Sequence, residues 1–303
     1  MFDIQRALGN ESVLRSLTGL RRKQFQELHQ LFAAELLHQK MNPTVKRQRA
    51  LGAGRPHTLA TTEGMLFFIL FYLKVYPTME LAGFLFGVAK SRSCTWVQVF
   101  QPILEAVLGK SHDLPKRKIS TIKEFLEQFP DVEKVVIDGT ERPRNRPKNK
   151  QEQRKHYSGK KKRHTIKNTI LADPNRKQVL VLTCSIAGSI HDKKDLDNNE
   201  LVSKIPEHIP IEVDLGYHGI QKERSGIIIP HKKPRNGELT PEQKQENRAI
   251  ASSRVVVEHV IGLSKRSGCI SQSYRNRRAG FDDAIMLTCC GMANFYQRTR
   301  IAA

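Results

Sequence analysis

No stretch of this chain is apolar for long enough to enter a bilayer: the longest run, Met65 to Leu73, falls far short of the roughly 20 residues a spanning helix needs. The N-terminus reads as having no signal peptide. Cysteine is scarce, five residues in 303. The number is odd, and Cys94, Cys184, Cys269, Cys289 and Cys290 show no paired zinc-type spacing, which excludes a disulfide framework and predicts small core hydrophobes in a reducing compartment. The eleven histidines form no ligand cluster. Acid is also in deficit, with 30 Asp and Glu against 51 Lys and Arg, a formal net charge of +21. That excess implies a polyanionic partner, nucleic acid or an anionic membrane surface, and nucleic acid fits a chain expected in the cytoplasm, at the nucleoid.

What is present is unevenly distributed. From Arg142 to Lys167 there are twelve Lys or Arg against the single acid Glu152, a net of +11 from 26 residues. Such a run reads either as a solvated loop or as a track for a phosphate backbone, and its start just after Asp138 favours the track. Arg142, Arg144, Arg146, Lys148, Lys160, Lys161, Lys162 and Arg163 are therefore candidate DNA contacts, on a segment expected to be mobile and exposed beside the site.

Three carboxylates organise the rest. Val135 to Thr140 (VVIDGT) reads as a strand that buries Val135 and Ile137 and delivers Asp138 at its open end. Ile211 to Tyr217 (IEVDLGY) repeats the arrangement with Asp214. Glu258 interrupts an apolar helical stretch, Arg254 to Lys265, whose valines predict burial, so a metal or a basic partner is expected to meet it. Arg254, Glu258 and Lys265 stand at i, i+4 and i+11 and share one helical stripe. Asp192 reads as a first-turn helix carboxylate or as an accessory member of the site.

In chain order, residues 1–45 read as a helical region for packing or dimerisation, with Leu20, Phe25, Leu28, Leu31, Phe32, Leu36 and Leu37 on its apolar stripe. Residues 46–120 read as a DNA-binding unit. Its first part, Lys46 to Leu59, is a basic linker in which Gly54-Arg55-Pro56 is either a turn or a minor-groove hook. Three helices follow between Thr61 and Leu108, and the turn at Gly87 makes the last two a helix-turn-helix or, failing that, part of a plain bundle. Its second helix is expected to start near an N-capping Ser91, with Lys90, Arg92, Ser93 and Thr95 offered to a major groove and Trp96 anchoring the core. Residues 121–303 read as an α/β unit: a short helix, a three-strand meander, a helix running to Lys204, the Asp214 strand, a short strand at Ile227 to Pro230, a polar connection from Lys232 to Arg248, the Glu258 helix and a closing helix over Phe281 to Tyr296.

This order of elements resembles the ribonuclease-H-like fold of DDE transposases. Arg254, Glu258 and Lys265 resemble the Tyr-(2)-Arg-(3)-Glu-(6)-Lys signature of bacterial insertion-sequence transposases of the family conventionally numbered five, related to the PIF/Harbinger group, although Ala251 stands where the signature has tyrosine. Asp138 in Asp-Gly-Thr, Asp214 in Asp-x-Gly-Tyr, and Gly188 to Asp192 resemble its other elements. The resemblance implies that Asp138, Asp214 and Glu258 hold two Mg2+ ions, or Mn2+, with Asp192, Arg254 and Lys265 accessory. It also implies double-stranded DNA partners, the terminal inverted repeats and a target, and a homodimer in a synaptic complex. Two other readings stay open: a DNA-binding regulator with an inert catalytic fold, and a nuclease that cuts without strand transfer.

Overall fold

The computed structural model describes residues 2–42 and 58–301, so most of the expected linker, including Gly54-Arg55-Pro56, lies outside the described residues. The chain opens with three helices, α1 (Ile4–Gly9), α2 (Glu11–Thr18) and α3 (Arg22–Met41). Asn10 accepts from the Val13 N–H to start α2, and Gly19, at φ +82°, ends it in the left-handed region. The apolar face of this segment packs within the chain, where Leu14, Leu28 and Phe32 are fully buried with α4 (Thr62–Val75) and α6 (Lys90–Lys110). Leu31 and Leu37, although on the expected stripe, are exposed.

Between those two helices lies α5 (Met79–Phe86), capped by the Thr78 hydroxyl and closed by Gly87 at φ +67°, which makes α5 and α6 the expected helix pair joined by a glycine turn. The start of α6 differs from expectation, because its N-cap is Ala89, which has no side-chain acceptor, and Ser91 already lies inside the helix. Phe68 on α4 is ringed by Phe86, Trp96 and Phe100, so Trp96 is the core anchor that its composition suggested.

After the short helix α7 (Ile122–Gln128) comes the sheet, built from β1 (Val135–Pro143), β2 (Tyr157–Ser158), β3 (Arg163–Asp173), β4 (Gln178–Leu182), β5 (Ile186–Ala187), β6 (Ile211–Glu212) and β7 (Ile227–Ile228). β1, β3 and β4 form the antiparallel meander, with β2 and β5 also paired to β3, while β6 lies parallel to β1 and β7 parallel to β6. This mixed sheet, an antiparallel meander extended by parallel strands, agrees with the α/β class expected. Both faces are covered, so strand residues are buried alternately on two sides. Val135 and Ile137 pack with Phe125, Ile205 and Ile209, whereas Val136 packs with Val257, Val260 and Ile261.

Asp138 is not at the end of its strand: β1 continues through Pro143, with Asp138 opposite Ile170 and Gly139 opposite Thr169. The opening is created by the neighbour, since β6 stops at Glu212. The helix α9 (Asp192–Asn199) and a one-turn helix at Val202–Lys204 follow the meander. The expected polar connection is partly helical, because α10 (Pro241–Lys265) begins at Pro241 with a capping box between Thr240 and Gln243. The short α11 (Gly268–Ser271) and the closing α12 (Phe281–Ile301) complete the chain. Cys269, Cys289 and Cys290 are buried in this region, but Cys94 is only partly covered and Cys184 is exposed, so the expectation of five core cysteines holds for three. Among the described residues, no helix is long and apolar enough to cross a membrane.

Candidate active site

The register of β1 on β6 sets the site. Val135 pairs with Ile211 and Val136 with Glu212, so two residues further on Asp138 and Asp214 stand level on adjacent parallel segments. Asp138 shares its side of β1 with Val136, the side that α10 covers. The strand leaves Asp138 partly buried, and its Oδ1 accepts from the Gly139 N–H at 2.8 Å. Asp214 caps the one-turn helix Leu215–Tyr217 by accepting from the Gly216 N–H at 2.7 Å.

From α10, Arg254 reaches to 3.9 Å of Asp214 Oδ2. Burial pushes the Asp138 carboxyl above its ordinary value; the Gly139 N–H and Arg254 oppose this, and the charges of Asp214 and Glu258 reinforce it. The three carboxylates are therefore electrostatic neighbours. Glu258 corrects one expectation, for it is exposed rather than buried, and Val255 on the preceding turn is 44% exposed. The valines that surround Glu258 in sequence lie on several sides of α10, and Val257 and Val260 alone turn fully inward. Lys265 comes back to the site from the end of the same helix. Its ammonium is held below its ordinary value by burial and then by Lys161, with Asp138 and Glu141 acting the other way.

Asp192 enters from the start of α9, where it pairs with Lys167 at 3.1 Å. Asp192 packs close to Gly139, where a Cβ would make ordinary contact with Asp192 Cγ and the Tyr217 hydroxyl at 3.4 Å. Gly188 is required, since a Cβ would fall 2.0 Å from Thr165 Oγ1 and 2.9 Å from the Thr165 carbonyl. Two further residues join the site without being singled out by the sequence. Tyr217 is 1% exposed and, among the described residues, its hydroxyl has no hydrogen-bond partner, while burial and then Asp192, Asp138 and Asp214 push its ionisation upward. Asp195, buried on α9, accepts from Thr169 Oγ1 at 2.6 Å and from Thr183 Oγ1 at 3.3 Å. Tyr217 closes the Asp-x-Gly-Tyr run, and that position is its only signal in the sequence; periodicity gives Asp195 none.

The basic residues separate into two groups. Arg142 is 1% exposed and cannot meet DNA, because on β1 it points to the covered side and donates to the Asp282 carbonyl, Asn168 Oδ1 and Ser185 Oγ. Arg144 is turned onto the His156 ring, and Arg146 donates to Gln153. The segment is not the mobile loop expected, since it carries α8 (Lys150–His156) and β2. Lys148, Lys160, Lys161, Lys162 and Arg163 are exposed, the last four around the turn from β2 into β3. On α6, Lys90, Arg92 and Thr95 are exposed, with Lys90 paired to Glu80 at 3.1 Å. Ser93 corrects another expectation: it is fully buried on the inner side of α6.

The donor chemistry of Asp138, Asp214 and Glu258, carboxylate oxygens that repel one another, is that of a hard divalent cation site. As the side chains stand, however, no three His, Cys, Asp or Glu among the described residues are close enough to hold a metal ion together, and Arg254 is the cation beside Asp214.

Comparison with known proteins agrees with this fold. The family described as DDE superfamily endonuclease matches residues 137–294, and the helix-turn-helix of DDE superfamily endonuclease matches residues 57–110. A protein of Microchaete diplosiphon named "Probable transposase for insertion sequence element IS702" is 32% identical over 219 residues, 72% of this chain and 75% of that protein. Another, from Streptomyces albus G and named "Putative transposase for insertion sequence element IS112", is 26% identical over 217 residues, 71% of this chain and 73% of that protein. No solved structure matches the chain significantly. With Asp138 and Asp214 level on one sheet edge, Arg254 of α10 beside Asp214 and a helix-turn-helix ahead of the sheet, this chain belongs to the DDE superfamily endonucleases, among the transposases of insertion sequences.

Proposed function

We propose that the chain binds the terminal inverted repeats of its element through α6, cleaves phosphodiester bonds at the element ends and joins the freed 3′-OH ends to target DNA. The observation that carries the reading is the register of β1 on β6, which sets Asp138 level with Asp214, with Arg254 of α10 3.9 Å from Asp214 Oδ2; the charges of Asp214 and Glu258 also favour a protonated Asp138 unless a cation is shared. Asp138, Asp214 and Glu258 would hold divalent ions, Mg2+ or Mn2+, two in number. Such ions, when bound, supply charge neutralisation for the attacking and leaving oxygens at phosphorus.

The chain's own side chains have separable tasks. Arg254 and Lys265 flank the carboxylates and would hold the phosphate being cut, Arg254 by a forked guanidinium and Lys265 as a point charge. In the first step a water oxygen forms the new bond to phosphorus as the 3′ oxygen of the element end leaves with a proton. In the second, that 3′-OH attacks a target phosphodiester, whose own 3′ oxygen leaves. The exposed turn at Lys160 to Arg163, with Lys161 near Lys265, would guide the backbone towards the edge. Asp192, tied to Lys167, would support the edge from α9. A homodimer would bring two element ends together, in the cytoplasm at the nucleoid.

The deciding experiment uses labelled duplexes cut from the flanks of the element. Wild-type protein with Mg2+ or Mn2+ is expected to cut and join them, and Asp138→Asn to bind the ends while doing neither. Wild-type protein that binds ends without cutting, unchanged by Asp138→Asn, would instead be a regulator. Cutting without joining of a supplied 3′-OH end would mark a nuclease.

A further inference from the structure

The N-terminal helices contribute more than packing. Arg15 in the last turn of α2, Arg21 at the start of α3, Lys74 in the last turn of α4 and Arg266 at the end of α10 line one open cleft of about 720 Å³. Three stretches far apart in sequence, the α2–α3 junction and the ends of α4 and α10, thus bring four cations together. Among the described residues, the only acid lining the cleft is Glu11, and both of its oxygens already accept from the Arg22 N–H, at 3.2 and 3.1 Å. Among the described residues, none of the four cations has a carboxylate within ion-pair distance.

Helix dipoles explain a cation at the C-terminal end of α2, α4 or α10 taken singly. They do not explain why the three ends meet, or why Arg21 joins them. The field is strong enough to act on neighbours: burial and then Arg266 hold the Lys74 ammonium below its ordinary value. The Tyr296 hydroxyl, although burial works the other way, is also lowered by Arg266, Arg15 and Arg21. Lys74 is further fixed by donating to the Arg266 carbonyl at 2.8 Å, and Arg266 lies over the Tyr296 ring, 5.1 Å from its centre. A second cleft, of about 420 Å³, continues the surface past Arg21 to Lys23 and Arg300. Its position relative to the carboxylates follows from α10, since Arg266 directly succeeds Lys265, which feels the charge of Asp138.

We propose that this cleft is a sequence-independent seat for the phosphate backbone of duplex DNA, in which Arg15 and Arg21 hold the strand alongside Lys74 and Arg266. The inference rests on the reading of the chain as a protein that acts on DNA, and it assigns the N-terminal helices a share of that binding separate from α6 and from the Lys160 to Arg163 turn. Phosphodiester oxygens suit the site because its four donors carry full charge and no aromatic side chain lines the cleft to stack a base, among the described residues.

The test measures binding of the full chain to a random-sequence duplex by fluorescence anisotropy, in EDTA and across a salt series. Arg15 and Arg21 are both exposed, so the double variant Arg15→Gln, Arg21→Gln is expected to fold as the wild type, with a matching thermal melt. It should bind about tenfold more weakly for each phosphate it no longer neutralises, and the slope of log affinity against log salt should fall by about 1.8 in magnitude if both arginines meet the backbone. Arg15→Lys with Arg21→Lys keeps the charge and should keep the wild-type slope. Adding Arg266→Gln to the neutral pair should flatten the slope further. A neutral pair with wild-type affinity and slope overturns this inference alone, and so does a Lys pair as weak as the neutral one. Wild-type protein that binds no duplex at all overturns the DNA reading beneath it.

Discussion

Around Phe68 the helical half of the molecule buries aromatic rings against one another, with Phe86 and Trp96 each 5.0 Å away between ring centres. At equal depth the sheet half buries Arg142, Asp195, Glu212 and the Tyr217 phenol. Among the described residues, Thr140 Oγ1, Arg142 Nε, Glu212 Oε1 and Tyr217 Oη of the sheet half have no partner, against Ser93 Oγ on α6 of the helical half and Tyr274 Oη between α11 and α12. An unpaired buried polar atom costs about 1–3 kcal/mol, whereas ring packing stabilises, so the two halves contribute to the native state with opposite emphasis. The helical half is the scaffold. Polar groups in the sheet half surround the carboxylate edge, and their cost is tolerated where chemistry needs charge.

Four tests probe this contrast. Phe68→Ala should be the most damaging, losing about 3–5 kcal/mol in urea denaturation, as expected for a large ring removed from a close-packed core. A loss under about 1 kcal/mol would show that the aromatic cluster is not the scaffold. Arg142→Met comes next. It takes its donor from the Asp282 carbonyl and one of two donors each from Asn168 Oδ1, which still accepts from Ser185 Oγ, and Ser185 Oγ, which still accepts from Asn168 Nδ2, a loss of about 1–3 kcal/mol. Greater stability in the variant would instead place Arg142 with buried charges that apolar packing can replace.

A third test turns from stability to reading. Arg92→Ala should weaken binding to element ends by about 1–3 kcal/mol for each base edge it no longer reads, with no matching change on random duplex. Ser93→Ala should leave both unchanged, because its hydroxyl faces the core. Neutralising Lys160, Lys161, Lys162 and Arg163 should weaken all duplexes alike, and an effect confined to element ends would erase the distinction between the two surfaces. The smallest loss is expected from Tyr217→Phe, which should hold or raise stability, because the hydroxyl removed is buried with no partner among the described residues. A loss above about 1 kcal/mol would mean that the phenol is bonded in solution.

Much of this is legible in the residues themselves. Strand-length apolar runs ending on Asp138 and Asp214, the Arg254 to Lys265 spacing and the Gly87 turn are local patterns, and local patterns determine local structure through periodicity and capping. Facing is less legible. Residue type and position point Ser93 and Arg142 towards DNA, and the flanking valines point Glu258 inward, yet all three face the other way. One turn of α6 offers Arg92 outward and Ser93 inward, and only the packing of α6 on α4 and α12 decides which.

By itself the sequence determined the order of most strands and helices, the glycine turn between α5 and α6, and that a strongly basic chain carries Arg254, Glu258 and Lys265 at a spacing resembling a known family. Tertiary structure alone decided that β6 lies parallel to β1 with Ile211 opposite Val135, which sets Asp138 level with Asp214 across a gap of 76 residues. It also decided that Arg15, Arg21, Lys74 and Arg266 share a cleft. The reason is physical: periodicity encodes the local burial of a face, but which distant face covers it depends on the register and packing of whole elements, and no short stretch of residues carries that information.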